Sequence, residues 1–186
     1  MNKLKRLLRS YSQYIAIPWR ADAAAAQRVV FCVYDETDEL LLRARVDEFE
    51  LASRQAGHDW ACFDLTNVFP DWMQGEEYVQ SYFKEPELLG DLLPDELLDF
   101  IERIFDFWTT QVPLTEKTVV ALTGVGSLFG FVKVKDCIDR LAPRVAGRLV
   151  VFFPGSFESN NYRLLDGYDG WNYLAVPITA DRSVEH

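Results

Sequence analysis

The amino-acid sequence predicts an α/β fold: a mainly parallel sheet flanked by helices on both faces, in a P-loop-like or Rossmann-like order without a nucleotide motif, ending in a C-terminal β-hairpin. Three observations predict it. Four short apolar runs, residues 28–34 (RVVFCVY), 60–65 (WACFDL), 118–123 (TVVALT) and 149–153 (LVVFF), have the length and β-branched or aromatic content of buried strands. The stretches between them carry apolar residues at helical spacing. Beyond the fourth run, small-residue turns at Pro154-Gly155-Ser156, Asn160-Asn161, Asp166-Gly167 and Asp169-Gly170 punctuate short extended segments, as hairpins on the end of a sheet do.

In chain order, residues 3–15 place Leu4, Leu7, Leu8, Tyr11 and Ile15 on one helical stripe, with Lys3, Lys5, Arg6 and Arg9 largely on other faces. Residues 1–20 hold five basic residues and no acid, which suits a helix docked on an acidic body or, alternatively, an arm for a membrane surface or nucleic acid. Residues 23–26 form a helical or linking run. After the first strand, Thr37 is placed to cap a helix reaching about Gln55, with Leu42, Val46 and Phe49 inward and Gly57 at its end. Strand, helix and strand at this spacing predict that the first two strands pair in parallel.

Residues 67–90 mix aromatics with breakers and read as two short helices, within a helical insertion spanning 67–111. Pro94-Asp95-Glu96 opens a stronger helix with Leu97, Ile101, Ile104, Phe105 and Trp108 on its core face. Residues 132–141 form a helix with Val134, Cys137, Ile138 and Leu141 inward; a hairpin strand is expected near 162–165 and a last strand near 173–177. Residues 179–186 are a tail. His186 closes it in the manner of the first residue of a purification tag and is left out of the chemistry.

At 186 residues the chain reads as one domain, 1–186, long enough to bury an ordinary core. Its 19 basic and 29 acidic residues leave a net charge of −10, which disfavours whole-surface attraction to nucleic acid. Cys32, Cys62 and Cys137 are odd in number and widely spaced; Cys32 and Cys62 sit in apolar runs and read as buried thiols of a reducing compartment. No apolar run has the length of a membrane span, so the expected location is the cytoplasm.

Three blocks, residues 34–49 (YDETDELLLRARVDEF), TGVGSLFGF ending at Phe131, and the run VVFFPGSFESNNYRLLDGYDGWNYLAVPI ending at Ile178, resemble the BrxB family, a component of the bacterial BREX phage-defence systems. The resemblance implies a small non-catalytic component, a scaffold or adaptor without a cofactor. Its implied partners are the system's phosphatase-superfamily member, its large ATPase and its methyltransferase.

In an open α/β sheet, ligands sit outside the carboxyl ends of the strands. That edge gathers Asp35 and Glu39, then Asp64, then Thr123, Gly124, Gly126 and Ser127, and lastly Gly155 and Ser156. Glycines after a buried strand can admit a phosphate, but no Walker pattern is present: the position five after Gly124 is Phe129, and Lys133 comes too late. Asp35, Glu39 and Asp64 are hard oxygen ligands that would suit Mg²⁺, or they simply solvate element starts. His58 lies before the second strand, at the opposite edge, so no His-dependent triad or zinc site is spelled. The alternative readings are therefore a degenerate nucleotide-binding or metal-dependent enzyme, or nucleic-acid binding through the basic N-terminal helix. No catalytic residue and no metal ligand set is assigned.

A protein-interaction surface is the other candidate. Residues 35–50 hold seven acids, and residues 85–106 hold eight. Phe100 and Phe107 lie seven apart on a second side of the helix opened by Pro94, and Tyr168 and Trp171 sit on a glycine-rich turn, where Trp171 serves equally well as a cap on the core.

Overall fold

The structure is a computed structural model that describes every residue except Met1, Glu76, Tyr78, Tyr168, Asp169 and residues 182–186. Along the chain run α1 (Lys3–Ile15), a 3-10 turn (Ala25–Arg28), β1 (Val29–Tyr34), a second 3-10 turn (Glu36–Asp38), α2 (Glu39–Arg43), α3 (Val46–Gln55) and β2 (Asp59–Asp64). There follow α4 (Val68–Gln74), α5 (Val79–Lys84), a 3-10 turn (Pro86–Leu89), α6 (Leu93–Gln111), β3 (Thr118–Thr123) and a 3-10 turn (Val125–Leu128). The chain continues through α7 (Val134–Leu141), a 3-10 turn (Ala142–Arg144), β4 (Arg148–Glu158), β5 (Asn161–Leu164) and β6 (Val176–Ile178).

The sheet has the order β2-β3-β4-β1-β6, parallel at every junction, with β5 antiparallel to β4. The α/β class, the parallel sheet and the C-terminal strand pair are those the sequence predicts. The expected pairing of β1 with β2 is not observed, because β3 and β4 lie between them. Burial explains the difference. Every residue of β1 is buried, which requires neighbours on both sides, whereas β2 alternates and suits the sheet's edge. The same alternation corrects Cys62: Ala61 and Phe63 turn inward and Cys62 is exposed, while Cys32 and Cys137 are buried.

Strand alternation divides the core into two layers. Val29, Phe31 and Val33, with Leu149, Val151 and Phe153, face a layer containing Leu97, Ile101 and Phe105 of α6 and Val134, Cys137, Ile138 and Leu141 of α7. Val30, Cys32 and Tyr34, with Val150 and Phe152, face Leu4, Leu7, Tyr11 and Ile15 of α1 together with Leu42 and Phe49. Each of those four α1 side chains is almost fully buried, a gain of about 1.5–3 kcal/mol apiece for the aliphatic ones. Across the second layer the Tyr11 hydroxyl and the Ser53 hydroxyl are 2.6 Å apart, and Ser53 also donates to the Phe49 carbonyl at 2.8 Å.

Two local expectations are corrected. The single helix from Thr37 to Gln55 is broken. Asp35, not Thr37, is the cap, its carboxylate accepting from the Thr37 backbone N–H at 3.1 Å. Arg45 then leaves helical geometry (φ −127°, ψ 10°), and the break carries Phe49 onto the sheet while Leu42 stays buried. Pro154-Gly155-Ser156 is no turn either. β4 runs straight through it, and the turn falls at Ser159 and Asn160, both with positive φ (49° and 63°), the left-handed pair that a tight antiparallel hairpin needs.

Candidate functional site

The carboxyl edge of the sheet is organised by a hydrogen-bonded network on β1, α2, β2 and β3. Glu39 accepts from the Tyr34 hydroxyl and from Arg43 Nε (2.7 Å), one helical turn ahead. Arg43 Nη2 reaches the Thr66 hydroxyl at 3.1 Å; Thr66 in turn donates to Asp64 Oδ1 at 2.7 Å, and the Thr123 hydroxyl donates to that same oxygen at 3.1 Å. The network therefore joins the ends of β1, β2 and β3 in one chain of contacts. Glu39 beside Arg43 raises the guanidinium's already high pKa, and burial pushes the Tyr34 phenol well above its usual range.

Gly124 closes onto this network with φ 72°. A β-carbon there would lie 2.4 Å from the Thr66 backbone nitrogen and 2.6 Å from Asp64 Oδ1. The glycine is needed for this approach. Only a single 3-10 turn follows it, whose Leu128 is fully buried beneath the sheet edge; Phe129 points away and is 45% exposed.

The nine residues read from the sequence as one ligand edge are thus distributed over three places. Glu39, Gly124, Gly126 and Ser127 line a small cavity of about 260 Å³ that also carries Glu36 and Arg43. Asp35, Gly155 and Ser156 line a separate cavity of about 750 Å³ between α1, β1 and β4, with Lys3, Asp38 and Glu158. Asp64 and Thr123 line neither, being engaged in the network. Thr37, through its hydroxyl and backbone N–H, and then Lys3 hold the Asp35 carboxyl below the usual range. Among the described residues no three His, Cys, Asp or Glu side chains converge as a metal ligand set. The smaller cavity sets Glu36 and Glu39 against Arg43, whose charge Glu39 already neutralises, so it offers an incoming phosphate no free cation. Arg43 was not singled out in the sequence, although the Glu39–Arg43 spacing of four on a helix was the available signal.

The candidate interaction residues also separate. Phe107 stands out from α6 at 68% exposure, with Leu92, Glu96 and Arg103 on the same outward stripe. Phe100 is half-buried against the core, with the Arg103 guanidinium 5.6 Å from its ring centre. Trp171 is half-buried in a cluster with Phe31, Phe153, Tyr162 and Tyr173, and its backbone exchanges hydrogen bonds of 2.8 and 2.9 Å with Tyr162. Tyr168 lies outside the described residues. The α6 acids are largely spent within the fold: Asp99 and Glu102 pair with Arg140 of α7, and Glu102 and Asp106 pair with Arg144. On α1, Lys3 pairs with Asp35 at 3.4 Å and Arg6 with Asp181 at 3.3 Å. No helix among the described residues is long and apolar enough to cross a membrane.

Fold and edge together define a doubly covered, parallel-sheet α/β protein whose strand ends are tied to one another. The chain belongs to the BrxB family: the model of that family, described as BREX protein BrxB, matches residues 61–177, more than half of the chain. Two of the three resembling blocks, those around the glycine turn and the hairpin, fall within or almost within that span; the block at 34–49 lies outside it. Membership makes the chain a component of a BREX defence system. Comparison with curated proteins and with solved structures gave no match.

Proposed function

We propose that this protein is a non-catalytic, cytoplasmic adaptor of a BREX anti-phage complex, and that it binds another BREX protein through the outward stripe of α6. Family membership supplies the defence context. The observation that carries the surface is Phe107, a large apolar side chain held 68% exposed on a 19-residue helix. An aromatic anchor on a rigid element within a charged rim has the composition of a protein–protein contact. The ion pairs to Arg140 and Arg144 fix α6 in place, so little order has to be gained on binding.

Co-purification of the full chain with the phosphatase-superfamily component, the large ATPase and the methyltransferase, each taken separately, tests this reading. One of them is expected to hold the wild-type chain at micromolar concentration, and Phe107→Asp is expected to weaken that complex at least about tenfold, as loss of an interface anchor does. Retention of the wild-type melting temperature by the variant would show that the loss is local. If none of the three holds the wild-type chain at micromolar concentration, the adaptor reading is wrong.

A further inference from the structure

At the opposite edge of the sheet, Arg148 opens β4 with its side chain packed inward, leaving only 6% of the residue exposed. Its Nη1 donates to the Gly147 carbonyl at 3.2 Å, its Nε is buried without any hydrogen-bond partner, and it takes part in none of the ion pairs among the described residues. A buried guanidinium is costly unless something neutralises it. Here the neighbours are aromatic: its carbon lies 4.7 Å from the Trp19 ring centre, and the Trp19 ring stacks on the His58 ring at 3.7 Å with 2° between the planes. The Trp19 indole N–H and His58 Nδ1 are likewise buried without partners, while His58 Nε2 lies 3.1 Å from the Ile15 carbonyl oxygen.

Arg148 lines a cavity of about 350 Å³ with Tyr14, Trp19, Arg20 and Gln27, and no acidic side chain is among the residues lining it. Arg20 at the rim is paired with Asp22 at 3.0 Å, and both are well exposed. In a chain of net charge −10, a cavity whose buried guanidinium, Arg148, has no carboxylate partner is a local inversion of sign.

We propose that this cavity is a binding site for a small ligand bearing an oxyanion, carboxylate or phosphate, which Arg148 pairs from the cavity floor beside the Tyr14 side chain. The guanidinium's planar fork of donors suits either oxyanion, and aromatic walls exclude the water that would otherwise screen the pair. Burial lowers the pKa of the Arg148 guanidinium, and an anion in the cavity would restore it. Tyr14 and Trp19 pack on the core layer of α1, and α6 packs on the other, so the site does not depend on the adaptor reading.

The test measures the melting temperature and tryptophan fluorescence of the full chain against inorganic phosphate and, separately, benzoate, with chloride at matched ionic strength as the baseline. At ten times its Kd, the anion that fits should raise the melting temperature by about 3–6 °C for a chain of this size. Arg148→Met should abolish that rise, Arg20→Gln, at an exposed position that leaves folding unaffected, should reduce it, and Lys5→Gln on α1 should leave it unchanged. A response to phosphate alone identifies a phosphate-bearing ligand, and a response to benzoate alone a carboxylate. No response to either anion, or a response that survives both Arg148→Met and Arg20→Gln, overturns the proposal.

Discussion

Gly124 and Thr66 are packed so closely that a β-carbon on the glycine would sit 2.4 Å from the threonine's backbone nitrogen and 2.5 Å from its hydroxyl oxygen. Two costs therefore fall on Gly124→Ala: the left-handed conformation, about 1–2 kcal/mol for an L-residue, and a collision that the backbone of Thr66 cannot swing away from. A loss of about 2–4 kcal/mol is expected, read as a lower denaturant midpoint at unchanged slope. Ser127→Ala, on the same turn, should change stability by less than about 0.5 kcal/mol, since its hydroxyl takes no part in the network described above.

Gly155 makes the equivalent contact within the hairpin. A β-carbon there would come within 2.0 Å of the Arg163 carbonyl oxygen, so Gly155→Ala should pry β5 from β4. The expected cost is about 2–3 kcal/mol, with amide exchange at Leu165, whose N–H donates to the Pro154 carbonyl at 2.8 Å, accelerating first. Ser159→Gly, at the turn itself, should instead stabilise by about 0.5–1 kcal/mol by removing a left-handed penalty.

These two glycines show what the sequence could and could not disclose. The continuous run VVFCVY and the stripe Leu4, Leu7, Tyr11, Ile15 carry their burial in their own spacing, and both are placed as read. Strand order is not local: nothing in residues 29–64 says that β3 and β4 will be inserted between β1 and β2, since that depends on which strands need two neighbours. Gly155 was legible as a small residue, but a glycine that lets two strands touch and one that makes a turn look alike in sequence. The edge residues fail to converge for a similar reason: the 3-10 turn Glu36–Asp38 lies between Asp35 and Glu39, which line different cavities although they are four residues apart. The Arg148 cavity was invisible, because it forms only where Arg148 meets residues 14–27, which are far from it in the sequence.

Arg144 donates to both Glu102 and Asp106, and Arg140 to Asp99 and Glu102, forming a ladder between α6 and α7. The pairs are partly exposed, so each is worth little alone, but the shared partner Glu102 couples them. A double-mutant cycle on Arg144→Ala and Asp106→Ala should give a coupling of about 0.5–1 kcal/mol at low salt. It should fall toward zero at 1 M NaCl, where the screening length is about 3 Å. A coupling indifferent to salt would show that packing of the arginine stem, and not charge, joins the helices.

Alkaline pH should unfold this protein earlier than its acidic composition suggests. Burial raises the phenol pKa of Tyr11, Tyr34 and Tyr162 far above the ordinary 10.0, raises the Cys32 thiol in the same way, and brings the Cys137 thiol from 9.0 to about 12. In the unfolded chain these groups release their protons from about pH 9 for the thiols and pH 10 for the phenols, whereas the folded chain retains them. The unfolded state then binds fewer protons than the native state, so stability is intact below pH 9 and falls as pH rises, by up to about 1.4 kcal/mol per pH unit for each such group. Denaturant midpoints measured from pH 7 to 11 should be flat to about pH 9 and then drop steeply. Tyr11→Phe should make the drop shallower above pH 10, while costing about 1 kcal/mol at neutral pH for the lost bond to Ser53. A midpoint that stays level to pH 11 would mean that these buried groups ionise as readily folded as unfolded, and that the tight second layer around Tyr11 and Phe49 opens to water.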